Sequence, residues 1–587
     1  MIKLPLLSRK RRALARVYLI DDGVRVAQTG ADRIAATGRR VKAAAGARRR
    51  ILMCGVVFGA VFALMGGRLF AVALATESPG AARIATSAGD GDRREIVDRN
   101  GVLLAANLPL RALEIAGNEV WDAGETAAKI GAIVPAIDAE DIRKKLEDKR
   151  YVEIRERLTP AQEQAIFALG LPGVRFSARV ERFYPQGRTG AHVVGHMEPG
   201  KGGVMGLERY LNGAGGAGPL AASIDIRAQE IVEQELGAAL EKFHAKAAMG
   251  AVMDVATGEV IALASLPDFD PNRPGAAKPD HRRNRAVYDL YELGSALKLL
   301  TAAAALEAGT ARESSTYDAR GSLKIADRVL RDFHGENRIL TFSEVIQHSS
   351  NIGAARMAKE LGVEKLKAAF KAAGMLDTLP IELAERRAPS PPWQWGPVET
   401  ATVSYGHGIS ITPLHLLAAA TSIVNGGDYR APTFLKHDTP SAGDRIFSAE
   451  TSATMRRVMR EVVTGGTASL AETPGYFSIG KTATAEKPAR GGYDPNARIA
   501  SFVGAFPGYA PRYAVLVTLD EPQAVEGTFG YATAGWNAAP TYAAIVGRIA
   551  PVLGVMPAGP EIAALRFGAP PGERRADLSS ADAGGGM

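Results

Sequence analysis

Ser295 and Lys298 stand three residues apart in the run Tyr291-Glu292-Leu293-Gly294-Ser295-Ala296-Leu297-Lys298. A serine hydroxyl is a poor nucleophile until a base takes its proton. Residues three apart on a helix share a face, so Lys298 can reach Ser295 directly. The Ala- and Leu-rich run 299–308 predicts a helix, and Gly294 opens it. Ser295 then sits at a helix N-terminus, where backbone N–H groups and the dipole favour a developing oxyanion.

A Ser-x-x-Lys arises about once by chance in a chain of this size, so its companions decide its meaning. Ser349-Ser350-Asn351 follows, and Lys481-Thr482-Ala483-Thr484 lies later in a strand-like stretch. Together these residues support acyl transfer through a covalent ester. Burial and a neighbouring cation would lower the pKa of Lys298, and Lys481 is the candidate neighbour. Ser349 can relay a proton between lysine and leaving group, and Asn351 offers an amide to a peptide substrate. Lys481, with Thr482 and Thr484 beside it, suits a carboxylate, with an extended substrate antiparallel to that strand edge. The N–H of Ser295 and that of a strand residue would form an oxyanion hole.

Several elements must position these groups. A helical pattern from Ala221 to His244 precedes two strand-like runs, Ala248 to Val255 and Glu259 to Ser265, joined by the turn Ala256-Thr257-Gly258. A helix-rich section covers roughly 286–425, and strands return at Phe477 to Thr484, Ile499 to Phe506 and Tyr513 to Leu519. Strands at both ends with helices between them predict one α+β domain on a single antiparallel sheet. Upstream, from Arg93 to about Leu220, short strands (Gly173 to Arg182), a charged helix (Asp138 to Glu147) and Gly-rich turns alternate. Gly213-Ala-Gly-Gly-Ala-Gly218 reads as a break. The chain thus divides into a basic segment 1–50, an apolar segment 51–75, an upstream domain 76–220, a catalytic domain 221–557 and a disordered tail 558–587.

The net charge of +8 is unevenly placed. Residues 1–50 hold 14 Lys+Arg against 3 Asp+Glu, a local +11, which leaves −3 on the other 537 residues. The catalytic body is therefore no nucleic-acid binder by charge. Ile51 to Gly67 carries no charge, Arg68 interrupts, and Leu69 to Ala75 continues apolar. The whole stretch spans about 37 Å as a helix, enough for a tilted membrane span with Arg68 at the interface. Arg48-Arg49-Arg50 puts the N-terminus in the cytoplasm and the bulk of the chain outside. Ala73-Leu74-Ala75 resembles a cleavage site, but the basic and apolar regions are both longer than a signal peptide's. Cys54, the one cysteine, lies in the apolar run, so the exported part has no disulfide. Nine scattered histidines give no expectation of a metal or other cofactor.

The three motifs, in this order, resemble those of the penicilloyl-serine transferases. Asp254-Val-Ala-Thr-Gly258-Glu259 with Val260 to Ser265 is similar to that family's opening hairpin, and Pro267-Asp-Phe-Asp-Pro-Asn272 to the stretch after it. Thr464-Gly465-Gly466-Thr467 and Pro474-Gly475-Tyr476 precede the third motif as in class B penicillin-binding proteins. Arg93-Arg-Glu-Ile-Val-Asp98-Arg99-Asn100-Gly101, Arg182-Phe-Tyr184-Pro185 and Gly206-Leu-Glu208 resemble the pedestal motifs of that class. The resemblance implies a serine β-lactamase-like transpeptidase domain behind an elongated pedestal and one transmembrane helix. It implies a periplasmic peptidoglycan D,D-transpeptidase of the inner membrane that cross-links D-Ala-D-Ala stem peptides and is acylated by β-lactams. By motif, Ser295 is the nucleophile, Lys298 its base, Ser349 and Asn351 the second motif, and Lys481 and Thr482 the third. The Thr484 N–H is the second oxyanion donor. Its partners would be a polytopic membrane glycosyltransferase and other membrane proteins of the division complex.

Two residues depart from the pattern. Ala483 replaces a glycine of the third motif, so its methyl is expected to narrow the site. Arg94 replaces a glycine of the first pedestal motif, so that turn is expected to differ. The Gly67-Arg-Leu-Phe70 and Tyr-Glu-Leu-Gly-Ser contexts resemble the division type more than the elongation type, which is the alternative. A lactamase or carboxypeptidase, and a non-catalytic penicillin-binding scaffold or sensor, are the other readings. Tyr405-Gly-His407-Gly408 reads as a turn shaping the site wall rather than an acid–base centre. Glu208 and Arg99 read as pedestal structure.

Overall fold

The computed structural model describes residues 93–561, apart from 155, 199, 334, 440–441 and 490–491, and the backbone of 17–20, 24–29, 33–37 and 39–75. Residues 76–92 and the tail from 562 onward lie outside the described residues.

Strands β1 (Val17–Ile20), β2 (Val24–Thr29) and β3 (Arg33–Thr37) pair antiparallel in a stretch whose arginines hid any periodicity. The β-branched Val17, Val24, Val26 and Ile34 favour extended backbone there. Helix α1 (Arg39–Ala75) begins twelve residues before the apolar run, because 39–50 is rich in the helix formers Ala, Arg and Lys. Within it, the 22 residues Gly46–Gly67 contain an 18-residue window of mean hydropathy 1.9 and are long and apolar enough to cross a membrane.

The second unit opens with the pedestal: β4 (Ile96–Val97), β5 (Leu103–Ala116), α2 (Ala123–Ile133), α3 (Ala139–Glu147), β6 (Tyr151–Ile154), α4 (Pro160–Ala168) and β7 (Val174–Phe183). β7 runs antiparallel to β5 from Ala106↔Phe183 to Ile115↔Val174. Side chains of Asp122, Asp138 and Thr159 cap the three helices. Their inner faces bury Ile130, Leu146 and Ile166 against Leu113 and Ile115 in a core separate from the main one. A short helix, α5 (Gly206–Tyr210), and strand β8 (Leu220–Ala221) close the pedestal, with β8 parallel to β4.

The Arg94 side chain bridges the turn to the Gly-rich break. Its guanidinium donates to the carbonyls of Gly215 (2.9 Å), Gly218 (2.8 Å) and Pro219 (3.2 Å). The Gly-rich break is thereby held by a side chain that glycine lacks. Two further contacts tie the pedestal motifs to the catalytic segment. Arg99 pairs with Glu259 at 3.1 Å. The Asn272 side chain bonds both the N–H and the carbonyl of Tyr184.

The catalytic domain contains α6 (Ile226–Lys242), β9 (Ala247–Asp254), β10 (Val260–Leu266), α7 (Lys298–Glu307), α8 (Phe342–Gln347), α9 (Asn351–Leu361), α10 (Pro413–Val424), α11 (Ala449–Gly465), β11 (Ile479–Ala489), β12 (Gly492–Phe506), β13 (Tyr513–Asp520) and α12 (Ala538–Val552). One antiparallel sheet in the order β10-β9-β13-β12-β11 gathers the strands from both ends of the domain, as the α+β reading requires. α6 and α12 pack together beside it. α10, with every residue buried, lies at the centre of the helical half. β11 is the edge strand, and the turn before α7 packs against it.

Candidate active site

Ser295 lies in a single helical turn, Gly294–Leu297, that runs directly into α7. Gly294 adopts φ +53° and sits against the backbone of Thr484. Gly406, at φ +88°, approaches so closely that a Cβ there would meet the Gly294 carbonyl oxygen at 2.0 Å. The Tyr405–Gly408 turn is therefore a wall that presses the serine turn towards the edge strand. His407 lines the cleft beside it. Burial first, and then the Lys298 charge, hold His407 below its ordinary pKa, which keeps the imidazole neutral.

Lys298 is fully buried. Its Nζ lies 2.9 Å from Ser295 Oγ, 2.6 Å from the Ser349 carbonyl, 2.7 Å from Asn351 Oδ1 and 3.1 Å from Ser349 Oγ. The first two motifs thus meet at one nitrogen. A neutral amine has two N–H bonds and one lone pair. If the two shortest contacts take the N–H groups, the lone pair faces the Ser295 hydroxyl. Burial pushes the Lys298 pKa well below its ordinary value, the Lys481 charge adds to this, and the Asp332 carboxylate opposes it.

Lys481 is also fully buried, and burial brings its pKa down to about 7. Its Nζ donates to the Thr482 carbonyl at 3.0 Å. Thr482 and Thr484 line the cleft. Thr482 Oγ1 bonds Thr467 Oγ1, and Thr484 Oγ1 accepts from the Ala534 N–H at 3.0 Å. Ala483 departs from its expectation: it points into the main core, 2% exposed, and is not among the cleft-lining residues. Alternation along β11 turns its methyl away from the cleft wall formed by its neighbours.

All seven expected site residues surround one region, and five of them, Ser295, Ser349, Asn351, Thr482 and Thr484, line a cleft of about 740 Å³. Such a volume suits a small peptide segment. Ser349 holds φ +61°, a left-handed conformation that a serine adopts only under constraint. The residues that follow it are held by Asp332, which sequence reasoning missed. Its carboxylate accepts from Ser350 Oγ (2.7 Å), from the Asn351 N–H and from the Ile352 N–H (3.0 Å), so it caps α9 and fixes the second motif. Nothing local in the sequence marks this aspartate, which arrives from a loop 18 residues before Ser350. Glu292 was missed as well. It accepts from the Gly408 N–H and from Tyr493 Oη, both at 3.0 Å, and stitches the wall turn and β12 to the serine turn.

The arrangement can take a proton from a serine, stabilise an oxyanion at a helix start, and hold a carboxylate near a lysine. That is the equipment of serine acyl transfer. Comparison with known proteins agrees. Residues 248–546 match the penicillin binding protein transpeptidase domain, and residues 89–212 match the penicillin-binding protein dimerisation domain. The chain is 41% identical over 483 residues to the probable peptidoglycan D,D-transpeptidase FtsI of Caulobacter vibrioides, covering 79% of this chain and 82% of that one. It is 30% identical over 502 residues to the peptidoglycan D,D-transpeptidase FtsI of Escherichia coli K12, covering 79% and 84%. The solved TP domain of Burkholderia pseudomallei penicillin-binding protein 3, in its apo form, superposes with a TM-score of 0.53 at 35% identity, covering 59% of this chain and all of that one. With a dimerisation-type domain ahead of a penicillin-binding one, the chain belongs to the class B penicillin-binding proteins and is one of their transpeptidases.

Proposed function

We propose that this protein is a membrane-anchored peptidoglycan D,D-transpeptidase that cross-links stem peptides in septal wall synthesis. The observation that carries the chemistry is the Lys298 amine, buried and within 2.9 Å of Ser295 Oγ.

Ser295 Oγ attacks the carbonyl carbon of the penultimate D-alanine, and its proton passes to Lys298 Nζ. The oxyanion rests on the N–H groups of Ser295 and Thr484. Collapse breaks the peptide bond, and the departing amine of the terminal D-alanine takes the proton through Ser349. An acceptor amine then attacks the ester, gives its proton to Lys298, and Ser295 leaves with its proton restored. Lys481 and Thr482 hold the terminal carboxylate of the donor, and Asn351 holds its peptide backbone. A β-lactam enters the same sequence, but its opened ring stays attached as the acyl group.

Relatives named FtsI support a role in division. The arginines Arg48, Arg49 and Arg50 ahead of the apolar run support a cytoplasmic N-terminus and a periplasmic location for the residues beyond 76. We assign 51–75 to the anchor, 76–220 to the pedestal, 221–557 to the transpeptidase domain and 558–587 to a tail. The partner is a polytopic membrane glycosyltransferase of the division complex, which supplies the glycan strand.

The test is acylation of the full-length protein by a labelled penicillin, read by intact mass. One adduct forms on the wild type and none on Ser295→Ala. An adduct that persists on Ser295→Ala removes the assigned nucleophile. Release of a thioester donor's acyl group to an amine acceptor distinguishes the transpeptidase from a sensor that only binds penicillin.

A further inference from the structure

Cross-linking needs one more proton acceptor than acylation does. In acylation the Ser295 proton travels through Lys298 to the departing amine, and nothing is left over. The acceptor of the second half-reaction arrives as an ammonium ion, since an alkyl amine such as that of lysine loses its proton only at about pH 10.4. An ammonium ion sheds two protons on its way to an amide. One returns to Ser295 through Lys298, and the other needs a second base at the cleft. His407 lines that cleft. It follows Gly406, whose backbone is pressed against Gly294, the residue before the nucleophile. Its ring packs against those of Tyr405 and Tyr493, with centroids 5.2 and 5.5 Å away. Glu292 braces this wall by accepting from the Gly408 N–H and from Tyr493 Oη. The charge that acts on the ring comes from Lys298 on α7, and with burial it keeps the imidazole neutral, so one ring nitrogen carries a lone pair. The other histidine of the cleft, His348, already has a carboxylate beside it, Glu336 at 3.4 Å. A carboxylate is a weaker base than an imidazole, and that of Asp332 is taken up by the α9 cap.

We propose that His407, held by the wall turn beside Ser295, is the base that takes the surplus proton from the acceptor ammonium. This rests on the transpeptidase reading and gives its second half-reaction a base of its own. The ammonium passes one proton to the free ring nitrogen, which leaves a neutral amine and an imidazolium. The amine lone pair forms the C–N bond at the acyl carbon. The C–Oγ bond breaks as the second proton passes through Lys298 to Ser295. The imidazolium then returns its proton to water in the cleft. Ester and ammonium thus become amide, serine and one released proton. An ammonium ion drawn out of water into the cleft becomes more acidic, which narrows the gap to the imidazole. Lys298 cannot serve both steps, because its amine must stay neutral to receive the second proton.

The full-length protein in detergent tests this with one thioester donor and two acceptors, each supplied in excess near neutral pH. One acceptor is a basic alkyl amine, which is an ammonium ion under these conditions. The other is hydroxylamine, which is already neutral and brings no surplus proton. Amide and hydroxamate products are counted by mass against the number of sites that labelled penicillin titrates. His407→Gln is expected to slow transfer to the alkyl amine about a hundredfold relative to hydroxylamine, the low end of what a positioned base contributes. His407→Asn carries the same comparison if His407→Gln fails to fold. Equal slowing of both acceptors, or of neither, overturns the assignment. A wild type that penicillin acylates but that passes the thioester's acyl group to neither acceptor overturns the transpeptidase reading itself, and the role of His407 with it.

Discussion

The pedestal and the cleft each bury charge, and they treat it in opposite ways. In the pedestal, Glu208 is fully buried between two guanidinium groups, Arg93 at 2.6 Å and Arg182 at 2.7 Å. Arg182 also reaches Asn107 Oδ1 and the Arg94 carbonyl. Each of these three charges has a partner, so the pedestal motifs hold one geometry. In the cleft, Lys298 and Lys481 are equally buried but have no carboxylate in contact among the described residues; their hydrogen-bond partners are hydroxyl, amide and carbonyl oxygens. Desolvation without compensation makes the neutral amine accessible. The same physical cost that a structural site cancels by pairing is kept in the cleft, where it favours a neutral lysine amine beside Ser295.

The sharpest way to break this contrast is to give the cleft a cation that cannot lose its proton. Lys298→Arg keeps the charge and removes the base. Acylation by penicillin should fall by about a thousandfold or more, the range that general-base catalysis contributes. The folded state persists, as near-ultraviolet circular dichroism would check. A variant that retains near wild-type acylation would mean that a group other than Lys298 takes the proton.

The reverse experiment leaves a pedestal charge unpaired. Glu208→Ala strands two guanidinium groups in a buried site, and breaking such a cluster costs about 3–5 kcal/mol. Thermal unfolding should show this loss, while the acylation rate per active site, counted by labelled penicillin, stays within about twofold. A large loss of rate at unchanged stability would place Glu208 in the catalytic machinery and dissolve the comparison.

What the sequence revealed follows the same division. Ser295, Lys298, Ser349, Asn351, Lys481 and the threonines were legible because their chemistry depends on short-range spacing and on secondary structure with a clear signature. Strands such as Tyr513–Asp520, buried along their whole length, read as continuous apolar runs. The positioning residues were not legible. Asp332 and Glu292 act across turns whose approach is set by tertiary packing, and a single acidic residue carries no periodic signal. The three strands before Arg39 were hidden for another reason: scattered arginines broke an alternation that the β-branched residues alone would have displayed. The direction of the Ala483 side chain follows from alternation along β11 once its neighbours Thr482 and Thr484 line the cleft.

Asp332 joins the two halves of the contrast, since it is an anion that both caps a helix and faces the catalytic lysine's field. In the proposed mechanism Lys298 works as the neutral amine, so acylation should rise with pH through its pKa and level off above it. Burial sets that inflection well below pH 10.5. The Asp332 carboxylate raises the Lys298 pKa, so Asp332→Asn, which removes the charge at nearly constant shape, should move the inflection to lower pH. It also weakens the cap on Ser350, Asn351 and Ile352, and the acylation plateau should drop about tenfold, the rate equivalent of roughly 1.4 kcal/mol. A residue that only held α9 in place would lower the plateau and leave the inflection where it was. The pH profile of acylation for the two proteins therefore separates a cap from a cap that also tunes the base.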